Sequence, residues 1–172
     1  MNDPFIAILM GSETDLPVMQ TAIDELKGLG IEFEAHILSA HRTPAETVEY
    51  VKNAEQRGCV VFIAAAGMAA HLAGAVAANT VCPVIGVPME AGSLNGIDAL
   101  LSTVQMPGGT PVACTSIGKA GAKNAALLAA QILAISNFEI KNKLHNIRLA
   151  KHEALRKADL KLQEQLKADH IV

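Results

Sequence analysis

The residues best suited to chemistry crowd into one short stretch, SAHRTP at 39–44. It places Ser39, Ala40, His41 and Arg42 directly after an apolar run. A guanidinium can grip a phosphate through two N–H groups at once. Histidine is the side-chain type that both takes and gives a proton near neutral pH. Polar residues this dense at the end of an apolar run are costly unless they serve a purpose. The stretch therefore predicts a phosphate grip beside a proton-transfer group, against the plainer alternative of a solvated loop.

Two further stretches carry weaker signals. In MGSETD at 10–15, Gly11 would let the backbone turn tightly and approach a ligand. Ser12 offers a hydroxyl, and the helix start that follows offers free N–H groups to an anion. Asp15 could hold ribose hydroxyls. Ordinary helix capping by Ser12 or Thr14, with Asp15 favouring the helix dipole, explains the same residues. In AGMAAHLAG at 66–74, Gly67 and Gly74 flank small residues around Ala70, His71 and Leu72. Small side chains let a ligand lie against the backbone, although a lone histidine such as His71 is more often structural. His36, mid-strand, and His145, His152 and His170, in the tail, read as structural or solvated.

Other chemistries lose support. No set of histidines, cysteines and carboxylates has metal-ligand spacing, so no metal and no other cofactor is predicted. Cys59, Cys82 and Cys114 form no CxxC pair and are expected to be buried reduced thiols. Neither serine lies in a GxSxG context, and no Walker A or GxGxxG loop is present. Aromatics are 3% of the chain, Trp is absent and the net charge is −3, which argues against a nucleic-acid partner. No apolar run approaches a membrane span, and the N-terminus lacks a basic segment. The expectation is a cytoplasmic protein with no membrane partner.

The elements that position these stretches follow from hydropathy. Hydrophobic residues make up 51% of the 172 residues, enough for one well-packed domain. The continuous apolar run at 5–10 reads as a strand buried on both faces, and 33–38, 60–65, 83–87 and 112–117 read as four further strands. Between and after them, helical spacing predicts helices at 16–29, 44–57, within 67–79, at 97–104 and at 120–135. Thr43, Pro44 and Glu46 form a capping-box pattern for the second helix. The run at 120–135 is apolar all round, which predicts burial all round. Five β-α repeats make an α/β fold: a three-layer, flavodoxin-like (Rossmann-like) parallel sheet with helices on both faces. Ligands bind outside the carboxyl ends of such strands, where all three polar stretches fall.

The domain is expected to span 1–136. The remainder, 137–172, has no Gly or Pro, and its Leu155, Ala158, Leu162 and Leu166 recur at helical spacing. It predicts a long C-terminal amphipathic helix, packed on its own domain or, by preference, on a neighbouring subunit.

The stretches together, in this order, resemble one family: N5-carboxyaminoimidazole ribonucleotide mutase of purine biosynthesis. The matching segments are MGSETD, SAHRTP, AAHLAG at 69–74, VQMPGGTPV at 104–112 and GKAGAKNAALLAAQIL at 118–133. The resemblance implies an octamer acting on a small ribonucleotide, without cofactor or metal. It implies carboxylate transfer from the exocyclic nitrogen to C4 of the imidazole, by decarboxylation and recapture of enclosed CO2. His41 would then be the catalytic acid and base. Gly11, Ser12, Asp15, Ser39, Ala40, Arg42, Ala70, His71 and Leu72 would bind substrate, with Ser39 and Arg42 on the phosphate side. Two positions depart from the pattern. Met68 stands where the family more usually has Gly, and Ala73 where Pro is common. Met68 is expected to narrow or cover the carboxylate pocket, and Ala73 to loosen the loop. A related branch carboxylates aminoimidazole ribonucleotide with free CO2, and a flavin or nucleotide-binding module is the non-enzymatic alternative.

Overall fold

A computed structural model describes residues 4–169; His170 lies outside them, as does the end of the 137–172 segment. The chain divides into two compact units, one ending at Leu133 and the other beginning at Ala134.

The first unit is built on a five-stranded, wholly parallel sheet of order β2-β1-β3-β4-β5. The strands are β1 (Phe5–Met10), β2 (Phe33–Ile37), β3 (Cys59–Gly67), β4 (Val84–Met89) and β5 (Ala113–Cys114). Helices α1 (Leu16–Leu29), α2 (Pro44–Arg57), α3 (Leu72–Ala77), α4 (Ile97–Val104) and α5 (Gly118–Leu133) connect or follow them. This is the three-layer flavodoxin-like arrangement expected from the repeats.

The strand order explains the layers. A right-handed crossover from β1 back to β2 puts α1 on one face, and the forward crossovers put α2, α3 and α4 on the other. α5 returns to pack beside α1. Every residue of β1 is buried, because helices cover both faces. Ala7, Leu9, Phe62 and Ala64 point with period two into one core beside Val51, Ala54, Leu72 and Val76. Fully burying a Leu or Phe side chain contributes roughly 1.5–3 kcal/mol, so a few such residues outweigh any surface interaction.

Helix ends follow local chemistry. α1 stops at Leu29 because Gly30 takes a left-handed conformation, φ 67°, and closes the turn onto Leu26 and Lys27 carbonyls. The predicted capping box at α2 does not form. The Thr43 hydroxyl caps nothing; it donates to the Ser39 carbonyl at 3.2 Å and accepts from the Ser39 N–H at 2.9 Å. A capping box forms instead at the 3-10 turn Glu13–Asp15, between Ser12 and Asp15.

Other boundaries shift. β5 is only two residues long, against a predicted six-residue run, because only Ile85 and Gly86 of β4 pair with it. α5 is buried along one side, at Gly121, Ala122, Ala125, Ala126, Ala129 and Ala130, while Lys119, Asn124 and Gln131 are exposed. Small side chains let it approach α1 closely, so its apolar character reflects tight packing on one side. Cys59 is buried, its thiol pushed up to about 12 by burial, whereas Cys82 and Cys114 are partly exposed.

The second unit contains α6 (Phe138–Asp169), a single helix of 32 residues. Leu155, Leu162 and Leu166 along it are exposed. Among the described residues no helix is long and apolar enough to cross a membrane.

Candidate active site

The strand order reverses between β1 and β3, and the segments leaving β1, β2 and β3 converge there. The first stays beside β3: Gly11 N–H donates to the Ala65 carbonyl at 2.9 Å. The second is tied to the end of β1, because Leu38 N–H donates to the Met10 carbonyl at 2.8 Å. The result is a cleft of about 430 Å³.

The 39–44 turn is organised by Ser39. Its Oγ accepts the N–H groups of His41, at 3.4 Å, and Arg42, at 3.2 Å. Its carbonyl accepts the Thr43 N–H at 2.9 Å. A short hydroxyl side chain can do this because it reaches the backbone two and three residues on. Arg42 then crosses to the first segment, where Nη2 donates to the Gly11 carbonyl at 2.6 Å. One loop thereby locks onto another, and the guanidinium is held at the cleft.

Asp15 is buried, with 7% of its surface exposed. Its Oδ2 accepts the Ser12 N–H at 3.0 Å. Burial pushes its carboxyl pKa up, while the Ser12 N–H and the Arg42 guanidinium pull it back. Ser12 Oγ accepts from the Thr14 N–H and hydroxyl, at 3.3 and 2.9 Å. Capping does not take these residues away from the cleft. The capping bonds hold Asp15 and Ser12 at the cleft wall. Gly11 is demanded neither by φ nor by space, since a Cβ there would meet Ala66 at an ordinary 3.6 Å. It contributes its carbonyl to Arg42.

His41 and His71 meet across the cleft with ring centroids 5.8 Å apart and planes tilted by 40°. Both residues are exposed, and among the described residues neither imidazole nitrogen has a hydrogen-bond partner. Of the residues singled out in sequence, the cleft gathers Gly11, Ser12, Asp15, Ser39, Ala40, His41, Arg42, His71 and Leu72. Ala70 does not line it. Its side chain is buried and faces a second hollow of about 320 Å³, which His71, Gly74 and Met106 also line.

The cleft also includes Thr14, from the 10–15 stretch, Ala66, Gly67, Met68 and Ala69, from the 66–74 stretch, and Ala91, which lies outside both. Met68, expected to narrow or cover the carboxylate pocket, lines the cleft. Ala91 carries no sequence signal, being a small residue in the β4–α4 loop. Only the closeness of that loop to Gly67 brings it in, since a Cβ on Gly67 would sit 2.9 Å from the Ala91 Cβ. A wider hollow of about 770 Å³ runs along the outer face of α2 and is lined by Glu49 and Lys52 among others. Its lining includes no histidine. Among the described residues no group of histidines, cysteines and carboxylates could hold a metal ion.

Fold and cleft define an open, doubly wound α/β protein whose cleft lies at the switch point of its sheet. Residues 5–154 match the AIR carboxylase family, and the chain belongs to that family. It is 55% identical over 141 residues to the N5-carboxyaminoimidazole ribonucleotide mutase of Bacillus subtilis, covering 82% of this chain and 87% of that one. It is 53% identical over 156 residues to the mutase of Thermotoga maritima, covering 90% of each. The crystal structure of Treponema denticola PurE superposes with a TM-score of 0.84 at 32% identity, covering 92% of this chain and 98% of that one.

Proposed function

We propose that this chain is an isomerase of purine biosynthesis, converting N5-carboxyaminoimidazole ribonucleotide to 4-carboxy-5-aminoimidazole ribonucleotide. The observation that carries this reading is its identity of more than half with curated mutases along almost their whole length. The cleft supports it, because the motif residues of three separate segments meet there.

In the first half-reaction the bond between the exocyclic nitrogen and its carboxylate breaks. CO2 leaves, the electron pair stays on nitrogen, and His41 supplies the proton. In the second, C4 attacks the same CO2, and His41 removes the C4 proton. Protons and carbon balance over the cycle, so one imidazole serves both halves. Arg42 and Ser39 take the phosphate, where a fixed guanidinium adds charge-assisted hydrogen bonds. Asp15 takes ribose hydroxyls through the oxygen that the Ser12 N–H leaves open. Ala40, His71 and Leu72 enclose the base and carboxylate, with Ala70 behind them. No metal or other cofactor takes part.

The test is a product assay with and without bicarbonate. Purified protein should accelerate formation of the C4-carboxylated product from the N5-carboxy substrate, with no need for added bicarbonate. Activity only on aminoimidazole ribonucleotide plus bicarbonate would replace this reading with a CO2-dependent carboxylase.

The proposal extends to a cytoplasmic homo-octamer in which α6, as part of a C-terminal segment 137–172 distinct from the catalytic domain 1–136, packs on a neighbouring subunit. Its exposed Leu155, Leu162 and Leu166 support such burial. Light scattering should read the mass of eight chains, and a monomer would end the idea.

A further inference from the structure

Met68 sits where an L-residue is out of place. Its φ is 56°, in the left-handed region, and it is one of two described non-glycine residues with positive φ. Such a conformation persists only where surrounding structure imposes it, and it concentrates at functional sites. The imposing contacts are visible. The Met68 carbonyl accepts the Ala70 N–H at 2.8 Å, closing a tight turn, and Gly67 is pressed against Ala91. A glycine at 68 would take this backbone without strain, so what methionine adds must lie in its side chain.

That side chain reaches across to the next loop. Gly92, itself at φ 66°, carries no side chain, and Met68 packs against that side of the loop. A Cβ on Gly92 would lie 3.5 Å from Met68 Cγ and 3.9 Å from Cε. The thioether thus spans from the loop after β3 to the loop after β4. It also lines the cleft beside His71 while 58% of its surface stays exposed. It is an apolar roof spanning the two loops, and an unbranched thioether is flexible enough to lift for a substrate and settle again.

From this geometry we propose that Met68 is a positioning residue that roofs the cleft and retains CO2 between its release from nitrogen and its capture by C4. The inference rests on the mutase reading, whose chemistry requires a small apolar intermediate to be held. CO2 carries no charge for Arg42 or a histidine to grip, so enclosure by apolar surface is what keeps it. Met68 touches no reacting atom. It acts by holding two loops together over the site.

The experiment follows turnover of the N5-carboxy substrate in buffer containing 13C-bicarbonate, with carbonic anhydrase keeping dissolved CO2 labelled. The readouts are 13C in the C4-carboxylated product and free aminoimidazole ribonucleotide per turnover, corrected for the spontaneous reaction. The wild-type chain should transfer its own carbon, with little label. Met68→Gly and Met68→Ala should raise label incorporation and free aminoimidazole ribonucleotide several-fold, lowering kcat more than they change KM. The alanine variant removes the side chain without adding glycine's backbone freedom, so agreement between the two assigns the effect to the thioether. Met68→Leu, restoring an apolar side chain over Gly92, should return the partition towards wild type. Wild-type partition in both small-residue variants would overturn the inference while leaving the mutase reading intact. Full labelling of the wild-type product would overturn the mutase reading, and the inference with it.

Discussion

Two polar clusters in this molecule are built from similar residue types and behave oppositely. At the sheet edge, both carboxylate oxygens of Glu34 on β2 accept from the Arg57 guanidinium on α2, with Nη2 to Oε2 at 2.8 Å, and Oε2 also accepts the Tyr50 hydroxyl at 2.8 Å. The His36 ring meets Tyr50 at a tilt of 50° with centroids 4.3 Å apart and lies 3.6 Å from Glu34, while Arg57 covers the Phe5 ring at 5.1 Å. Each group there has found a partner within the chain. At the strand ends, Ser39, Arg42 and Asp15 bond mainly to backbone, which fixes their place. The His41 and His71 imidazoles are left facing a cleft. A cluster satisfied internally holds the fold together. A cluster whose backbone is satisfied and whose reactive atoms are not is arranged for something that arrives.

The difference can be broken experimentally, and the largest effect belongs to the cleft. His41→Asn keeps size and polarity but cannot cycle a proton. It should lower kcat by roughly 10²–10⁴, the usual worth of a positioned acid–base group, with nucleotide binding retained. Retained turnover would place the proton transfer elsewhere and remove the contrast.

The edge cluster should answer in stability alone. Glu34→Gln leaves an oxygen for Tyr50 and removes the charge facing Arg57. Because the pair is partly exposed and screened, the loss should be about 1 kcal/mol or less, read as a lower Tm with unchanged kcat. A fall in kcat at constant stability would show that the two clusters communicate.

The smallest effect concerns pH. The Arg57 guanidinium holds the Glu34 carboxyl down at about 2, against an ordinary 4.5. A depressed acid stabilises the fold above its unfolded value and loses that contribution as pH falls through its folded value. The Tm difference between wild type and Glu34→Gln should therefore be full above pH 4.5 and shrink towards pH 2. A difference that stays constant across this interval would show that the charge contributes nothing.

The contrast also explains what could be read in advance. SAHRTP was legible as a candidate site because polar density after an apolar strand is unusual in any sequence. The Glu34 cluster was not legible at all. Its members lie 16 and 23 positions apart, on a strand and on two turns of a helix, and each alone looks like ordinary surface. The capping box was misplaced for a related reason. Thr43 and Glu46 have the right spacing, but the Thr43 hydroxyl is drawn to Ser39 by the turn that carries His41.

What the sequence determined by itself is local and periodic. Apolar runs specify strands, their alternation with helices specifies a parallel sheet, and strand ends specify where polar residues face a ligand. These follow from burial and backbone geometry, which act over a few residues. What only the tertiary structure decided is which distant groups meet. Arg42 bonds to Gly11 across 31 positions, Ala91 closes against Gly67, and Met68 takes a left-handed conformation to lie over Gly92. Such contacts depend on the order and register of strands, which the whole core sets at once, so no short stretch of sequence contains them.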